Sequence, residues 1–127
     1  MREVVMDTNF LLLPYQFKID IFTELDYLID EPYQLVISSK VVDELQVLSK
    51  KVGKSGAGAR FAIKLLEVNS KKIITIDSEM FVDDWIKEYT QGKRTIVCTN
   101  DAALKRSLKK NKLKVIGLRT KTKLGYI

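Results

Sequence analysis

Acids stand at four element junctions of this chain. Asp7 follows the apolar run Val4-Val5-Met6, and Glu44 lies in the first turns after Leu35-Val36-Ile37. Asp83 and its neighbour Asp84 come after Ile73-Ile74-Thr75-Ile76, and Asp101 closes Thr99-Asn100-Asp101 after Thr95–Cys98. Singly, each has an ordinary role as a helix cap or a surface acid. Gathered at one rim they would repel, and some would stay protonated unless a cation neutralised them. An oxygen-only cluster suits Mg²⁺ or Mn²⁺. Such an ion polarises a phosphoryl oxygen, generates hydroxide from water and stabilises a leaving oxygen.

The elements expected to position these acids alternate between strand and helix. Glu3–Met6, Leu35–Ile37, Ile73–Ile76, Thr95–Cys98 and Leu113–Gly117 read as five strands. Between them, Asp20 caps a helix through Ile29, Ser38 or Ser39 caps one carrying Val41, Val42, Leu45 and Leu48, and Ala59–Val68 forms another, with Phe61, Ala62, Leu65 and Leu66 inward. Val82, Trp85, Ile86 and Tyr89 repeat at i, i+3, i+4, i+7, so Phe81–Thr90 is helical and Gly92 ends it. Asn100 is expected to cap a helix from Asp101 to about Lys110, and Pro14 to stop any regular element after Phe10–Leu13. Strand–helix repeats with crossovers of helical length predict a three-layer α/β/α sandwich around a five-stranded, mainly parallel sheet. In such sheets ligands sit beyond the carboxyl ends of the strands, where Asp7 would lie.

The 127 residues suffice for one domain with a real core, residues 1–127, with residues 118–127 read as a basic extension. Lys and Arg number 22 against 16 Asp and Glu, a balance of +6 that suits a polyanion, nucleic acid first. There is no histidine, which excludes a His-based triad or His zinc site. One cysteine, Cys98, excludes an intramolecular disulfide and points to a cytoplasmic setting; it reads as a small core residue. No apolar run approaches a membrane span, and Met1-Arg2-Glu3 leads straight into a strand, so no signal peptide is expected.

Lys50–Gly58 reads as a mobile basic loop. Its Gly53-Lys54-Ser55 is no phosphate loop: Leu48 stands where the motif needs glycine, and the segment follows a helix rather than a strand. Two basic groups are candidates for a phosphate backbone. Lys105 and Lys109 fall on one face of the helix beginning at Asp101, with Arg106 and Lys110 in the adjacent row; Lys54 and Arg60 flank the glycine-rich stretch.

Four segments, in order, resemble the PIN-domain family of metal-dependent ribonucleases: Val5-Met6-Asp7-Thr8-Asn9, Ser38–Leu45, Val82-Asp83-Asp84-Trp85-Ile86 and Val97–Arg106. The resemblance spans essentially the whole chain. It implies that Asp7, Glu44, Asp83 and Asp101 are the catalytic, metal-binding acids, with Asp84 a neighbour able to share the third role. It also implies that Thr8, Asn9, Thr99 and Asn100 hold the pocket, that Mg²⁺ or Mn²⁺ is the cofactor, and that RNA is the partner. Thr99–Arg106 is most similar to the branch related to ribosomal-RNA-processing endonucleases. Ribonuclease toxins of toxin–antitoxin pairs share the acids, but their usual small residue after the third acid is replaced here by Asp84 and Trp85. A homodimer is left open, and no protein partner is indicated.

The rival from another class is an RNA-binding scaffold of the same fold without turnover. It would keep the basic surface and would not need all four acids. A phosphohydrolase with an aspartyl nucleophile typically carries a second acid two residues after the first, where this chain has Asn9.

Overall fold

β1, Arg2–Met6, lies inside a sheet of order β3-β2-β1-β4-β5-β6. The computed structural model describes residues 1–127. β2 is Tyr33–Ser38, β3 Ile73–Ile76, β4 Ile96–Cys98, β5 Lys114–Thr120 and β6 Lys123–Tyr126. The first five strands pair in parallel and β6 runs antiparallel to β5. Val4, Val5, Val36, Val97 and Ile116 are buried, as the continuous β-branched runs of a sheet covered on both faces require.

The helices are α1 (Thr8–Phe17), α2 (Ile21–Leu28), α3 (Ser39–Ser49), α4 (Gly53–Val68), α5 (Val82–Tyr89) and α6 (Ala102–Lys110). A single 3₁₀ turn, Ser70–Lys72, leads into β3. No helix is long and apolar enough to cross a membrane. The chain moves from β1 to β2 to β3 on one side, then returns to place β4 on the other side of β1. That reversal opens a crevice at the carboxyl ends of β1 and β4, the usual place for a ligand in an open α/β sheet.

The mainly parallel α/β architecture is as expected, with six strands rather than five. Residues 118–127 are the end of β5 and the whole of β6, not an extension. Leu124 and Gly125 are buried there, and the Ile127 N–H donates to the Val115 carbonyl at 2.9 Å. The five charged residues from Lys112 to Lys123 mask this hairpin in the sequence. Pro14 does not break the chain either. It sits buried inside α1, between an Asp7 cap and a left-handed Lys18 at φ 55°, and the burial of Phe10, Leu11 and Leu13 outweighs the missing N–H.

The glycine-rich stretch is the start of α4 rather than a loop. Gly56 is buried, and a Cβ there would stand 1.7 Å from the Lys51 carbonyl oxygen, so glycine serves close approach here, not mobility. Arg60 closes the same turn, donating to the Ser49 carbonyl at 2.7 Å. Phe61, expected inward, is 44% exposed and tilts against Tyr15 with ring centroids 6.1 Å apart.

Candidate active site

The crevice between β1 and β4 is built around Asp7. It follows β1 directly, takes extended backbone geometry and caps α1: its Oδ1 accepts from the Phe10 N–H at 2.8 Å. Its Oδ2 accepts from the Thr99 hydroxyl across the crevice. Thr99 Oγ1 in turn accepts from the Asp101 N–H at 3.0 Å, and Asp101 Oδ1 caps α6 through the Leu104 N–H at 2.7 Å. Asp101, not Asn100, is therefore the cap of α6. The cap leaves capacity for a further contact, because a carboxylate oxygen that accepts one hydrogen bond keeps a further lone pair.

Asp7 is 3% exposed. Burial raises its carboxyl from 3.8 to about 6 against the hydrogen bonds from Thr99 and Phe10, and the charges of Asp83 and Asp101 push it the same way. Partial burial also raises Asp83, with Asp101, Glu44 and Asp84 adding repulsion and Lys87 opposing them. Asp7 and Asp83 thus both feel acids carried on other elements of the fold. Cys98, fully buried beside Asp7, has its thiol pushed well above the ordinary range by burial and by that acid. It is a core residue, as its neighbours in the sequence indicate.

Glu44 is held from the other side, where Oε1 accepts from the Thr8 hydroxyl. With Asp7, Asp83, Thr8 and Asn9 it lines a cavity of about 690 Å³. Asp101 and Thr99 lie outside that cavity's wall, in the adjoining β1–β4 crevice. Asn9 and Asn100 are exposed; Asn100 Oδ1 makes one long contact, 3.4 Å from the Leu118 N–H. Asp84 is exposed beside Asp83 in the first turn of α5.

No three carboxylates meet as a closed ligand set. An ion here would keep several waters, which is how Mg²⁺ is usually held. The donor chemistry fits a hard divalent cation: the groups are all oxygen, one acid is buried without a counter-charge, and two carboxyls are raised by burial and mutual repulsion. A cation would reverse that repulsion.

Several supporting residues escape sequence reading. Ser39 Oγ accepts from the Ser78 N–H at 3.0 Å and lies 3.3 Å from the Ser78 carbonyl, tying the start of α3 to the segment before α5. Gly117 on β5 is required because a Cβ would stand 2.5 Å from the Thr99 carbonyl oxygen. Lys40 and Asp43 join Glu44 on the cavity wall, and Phe81 also lines it. The spacing of Lys40, Asp43 and Glu44 marks one helical face, a signal present in the sequence. The serine pair and Gly117 have no such signal, because their partners are distant in the chain.

The basic candidates divide. Lys105 is half-buried, Arg106 and Lys110 are exposed on α6, and Lys109 Nζ donates to the Ile127 carbonyl at 2.6 Å. Lys54 is exposed, whereas the Arg60 guanidinium is committed to the α3–α4 turn.

A family model described as "PIN like domain" matches residues 4–121. This chain belongs to the PIN-like domain family. Over 123 residues the PIN-like chain is 30% identical to Ribonuclease VapC4 of Methanocaldococcus jannaschii, covering 95% of this chain and 93% of that one. Among solved structures it is similar to the PIN domain endonuclease Utp24, with TM-score 0.80, 26% identity and coverage of 98% and 90%. A domain of a functionally unknown protein from Methanocaldococcus jannaschii shares the fold, with TM-score 0.63 at 17% identity over 94% and 93% of the two chains.

Proposed function

We propose that this chain is a Mg²⁺- or Mn²⁺-dependent endoribonuclease in which Asp7, Glu44, Asp83 and Asp101 hold the ion directly or through water, with Asp84 at the margin. The observation that carries this reading is Asp7: buried, fixed by hydrogen bonds on both oxygens, and pushed up to about 6 among other acids. Likeness to a ribonuclease and to a PIN domain endonuclease over nearly the full length supports the same reaction class. When bound, the ion supplies Lewis-acid polarisation of the phosphoryl oxygen and a lowered water pKa.

The chain's own groups do the rest. Asp7 and Asp101 are rigid because each also caps a helix. Thr99 couples them, and Thr8 fixes Glu44. Water is the nucleophile this site leaves: the chain has no histidine, Cys98 is buried with a raised thiol, and both threonines donate to carboxylates. Lys105, Arg106 and Lys110, on the helix that starts at Asp101, bind the phosphate backbone leading away from the crevice. The similarity of Thr99–Arg106 to the ribosomal-RNA-processing branch supports structured ribosomal RNA as the substrate class.

Incubation of the purified chain with structured and single-stranded RNA tests the proposal. Cleavage should require Mn²⁺ or Mg²⁺ and stop in chelator. Equal cleavage in chelator, or none with either ion, contradicts it.

A further inference from the structure

The cavity beside the acids changes character along its walls. On α3, Lys40, Asp43, Glu44, Val47 and Leu48 face it, at spacings of one helical face. The charged members come first and the apolar ones a turn later, with about 6 Å of helical rise from Glu44 to Leu48. α1 repeats the order, with Thr8 and Asn9 followed by Leu12. Phe81, immediately before α5, lines the same cavity.

Phe81 is 74% exposed and Val47 64%. Each forgoes much of the roughly 1.5–3 kcal/mol that burying such a side chain yields, and both stand on the wall of the cavity that holds three of the acids. Lys40 is the one cation on that wall. It makes no ion pair, since the two surface pairs in the molecule are Arg2–Glu31 and Lys93–Glu3. A wall that offers an exposed aromatic ring and aliphatic side chains together with an unpaired cation beside carboxylates matches a ligand with a flat apolar body joined to a phosphate. An amino-acid side chain of a protein partner supplies the first part and not the second.

The geometry points to a one-nucleotide subsite beside the acids, in which Phe81 stacks an unpaired base against Val47 and Leu48 while Lys40 meets that nucleotide's phosphate. This assignment rests on the ribonuclease reading and adds a preference to it. In a duplex both faces of a base are covered by its neighbours, so only a single-stranded or splayed-out base can use the ring. Stacking tolerates any base, so the subsite selects for unpaired structure rather than sequence.

The test is binding of full-length protein to RNA in chelator, where cleavage does not interfere, together with cleavage in Mn²⁺. Phe81→Ala should weaken binding of single-stranded RNA roughly ten-fold, the scale of one base–aromatic stack, and leave blunt duplex RNA unchanged. Phe81→Trp should restore it. In an RNA whose cleavage site has been mapped, removing the one base next to the cut bond should cost wild type the same factor and cost Phe81→Ala nothing further. Phe81→Ala binding as wild type does, losing duplex equally, or adding its loss to that of the abasic RNA each overturns the subsite. So does a Phe81→Ala chain whose loss accompanies a change in oligomeric state, which would make the wall an interface between copies. The two readings fail separately. Wild type that cleaves while Phe81→Ala cleaves and binds equally well sinks the subsite alone. Phe81-dependent binding without cleavage in any ion sinks the nuclease reading alone.

Discussion

The two sides of the sheet edge are built differently. On the β1–β4 side, Asp7, Thr99 and Asp101 form one hydrogen-bonded chain, with Asp7 and Thr99 buried and both acids serving as helix caps. On the α3–α5 side, Glu44 has one hydroxyl partner, Asp83 and Asp84 are exposed, and the serine pair ties the start of α3 to the segment before α5. The first side is a fixed anchor whose geometry is set by folding. The second has few hydrogen bonds holding its carboxylates.

Apart from removing the Asp7 charge itself, the largest effects should come from loosening the fixed side. Thr99→Ala removes the only donor to Asp7 Oδ2 and the acceptor of the Asp101 N–H. Loss of such an outer partner typically costs 10–100-fold in metal affinity or activity. Cleavage should fall by about that factor, measured as kcat/KM, and Thr99→Ser should recover most of it. Gly117→Ala should act on the same side through the Thr99 carbonyl, lowering both Tm and cleavage. A Thr99→Ala enzyme of wild-type rate would erase the distinction between the sides.

A smaller effect sharpens the other side. Asp83 feels Asp101, Glu44 and Asp84, so Asp83→Asn should remove most cleavage, whereas Asp84→Asn should lower it less than about ten-fold, a change under roughly 1.4 kcal/mol. The reverse ranking assigns the third role to Asp84. Below this comes the electrostatic periphery. Lys105→Ala with Arg106→Ala should weaken binding across unrelated RNAs and flatten the log–log salt slope by roughly 0.7 for each phosphate no longer neutralised. A titration in KCl reads this directly, and an unchanged slope moves the path of the RNA.

How much of this was legible in the sequence follows the same division. Asp7 and Asp101 announce themselves because each ends a short apolar strand and begins a helix, so local order already fixes their place. Glu44 and Asp83 lie within helices, and only the sheet order brings them to the same edge. The capping of α6 by Asp101 rather than Asn100 was a one-residue ambiguity between two good cap types. Pro14 and the α4 glycines misled for a shared reason: tertiary burial and close approach overrode the local propensities that proline and glycine usually express. The β6 strand hid behind its charges, since Leu124 and Tyr126 supply its only apolar alternation.

A further predicted effect is on stability rather than on cleavage. Asp7 is raised from 3.8 to about 6, so the native chain holds a proton that the unfolded chain has lost between those values. Metal-free wild type should therefore lose stability as pH rises from about 4 to about 6, by up to roughly 3 kcal/mol, and stay level above. Asp7→Asn should lack this dependence and match or exceed wild type at pH 7 in chelator. The gain is reduced because the Thr99 hydroxyl loses its acceptor. Urea unfolding at pH 4.5 and pH 7 decides the sign.

The central claim is that charge at Asp7 holds the ion that makes this fold cut RNA. Single-turnover cleavage of one labelled RNA by wild type and Asp7→Asn in Mn²⁺, with binding of the same RNA measured in chelator, tests it most directly. Asparagine keeps the shape and the Phe10 cap but removes the charge. Cleavage should therefore fall about a thousand-fold or more, the scale of several kcal/mol of metal-borne stabilisation, while RNA affinity stays within about three-fold. Asp7→Asn cleaving at the wild-type rate contradicts the account.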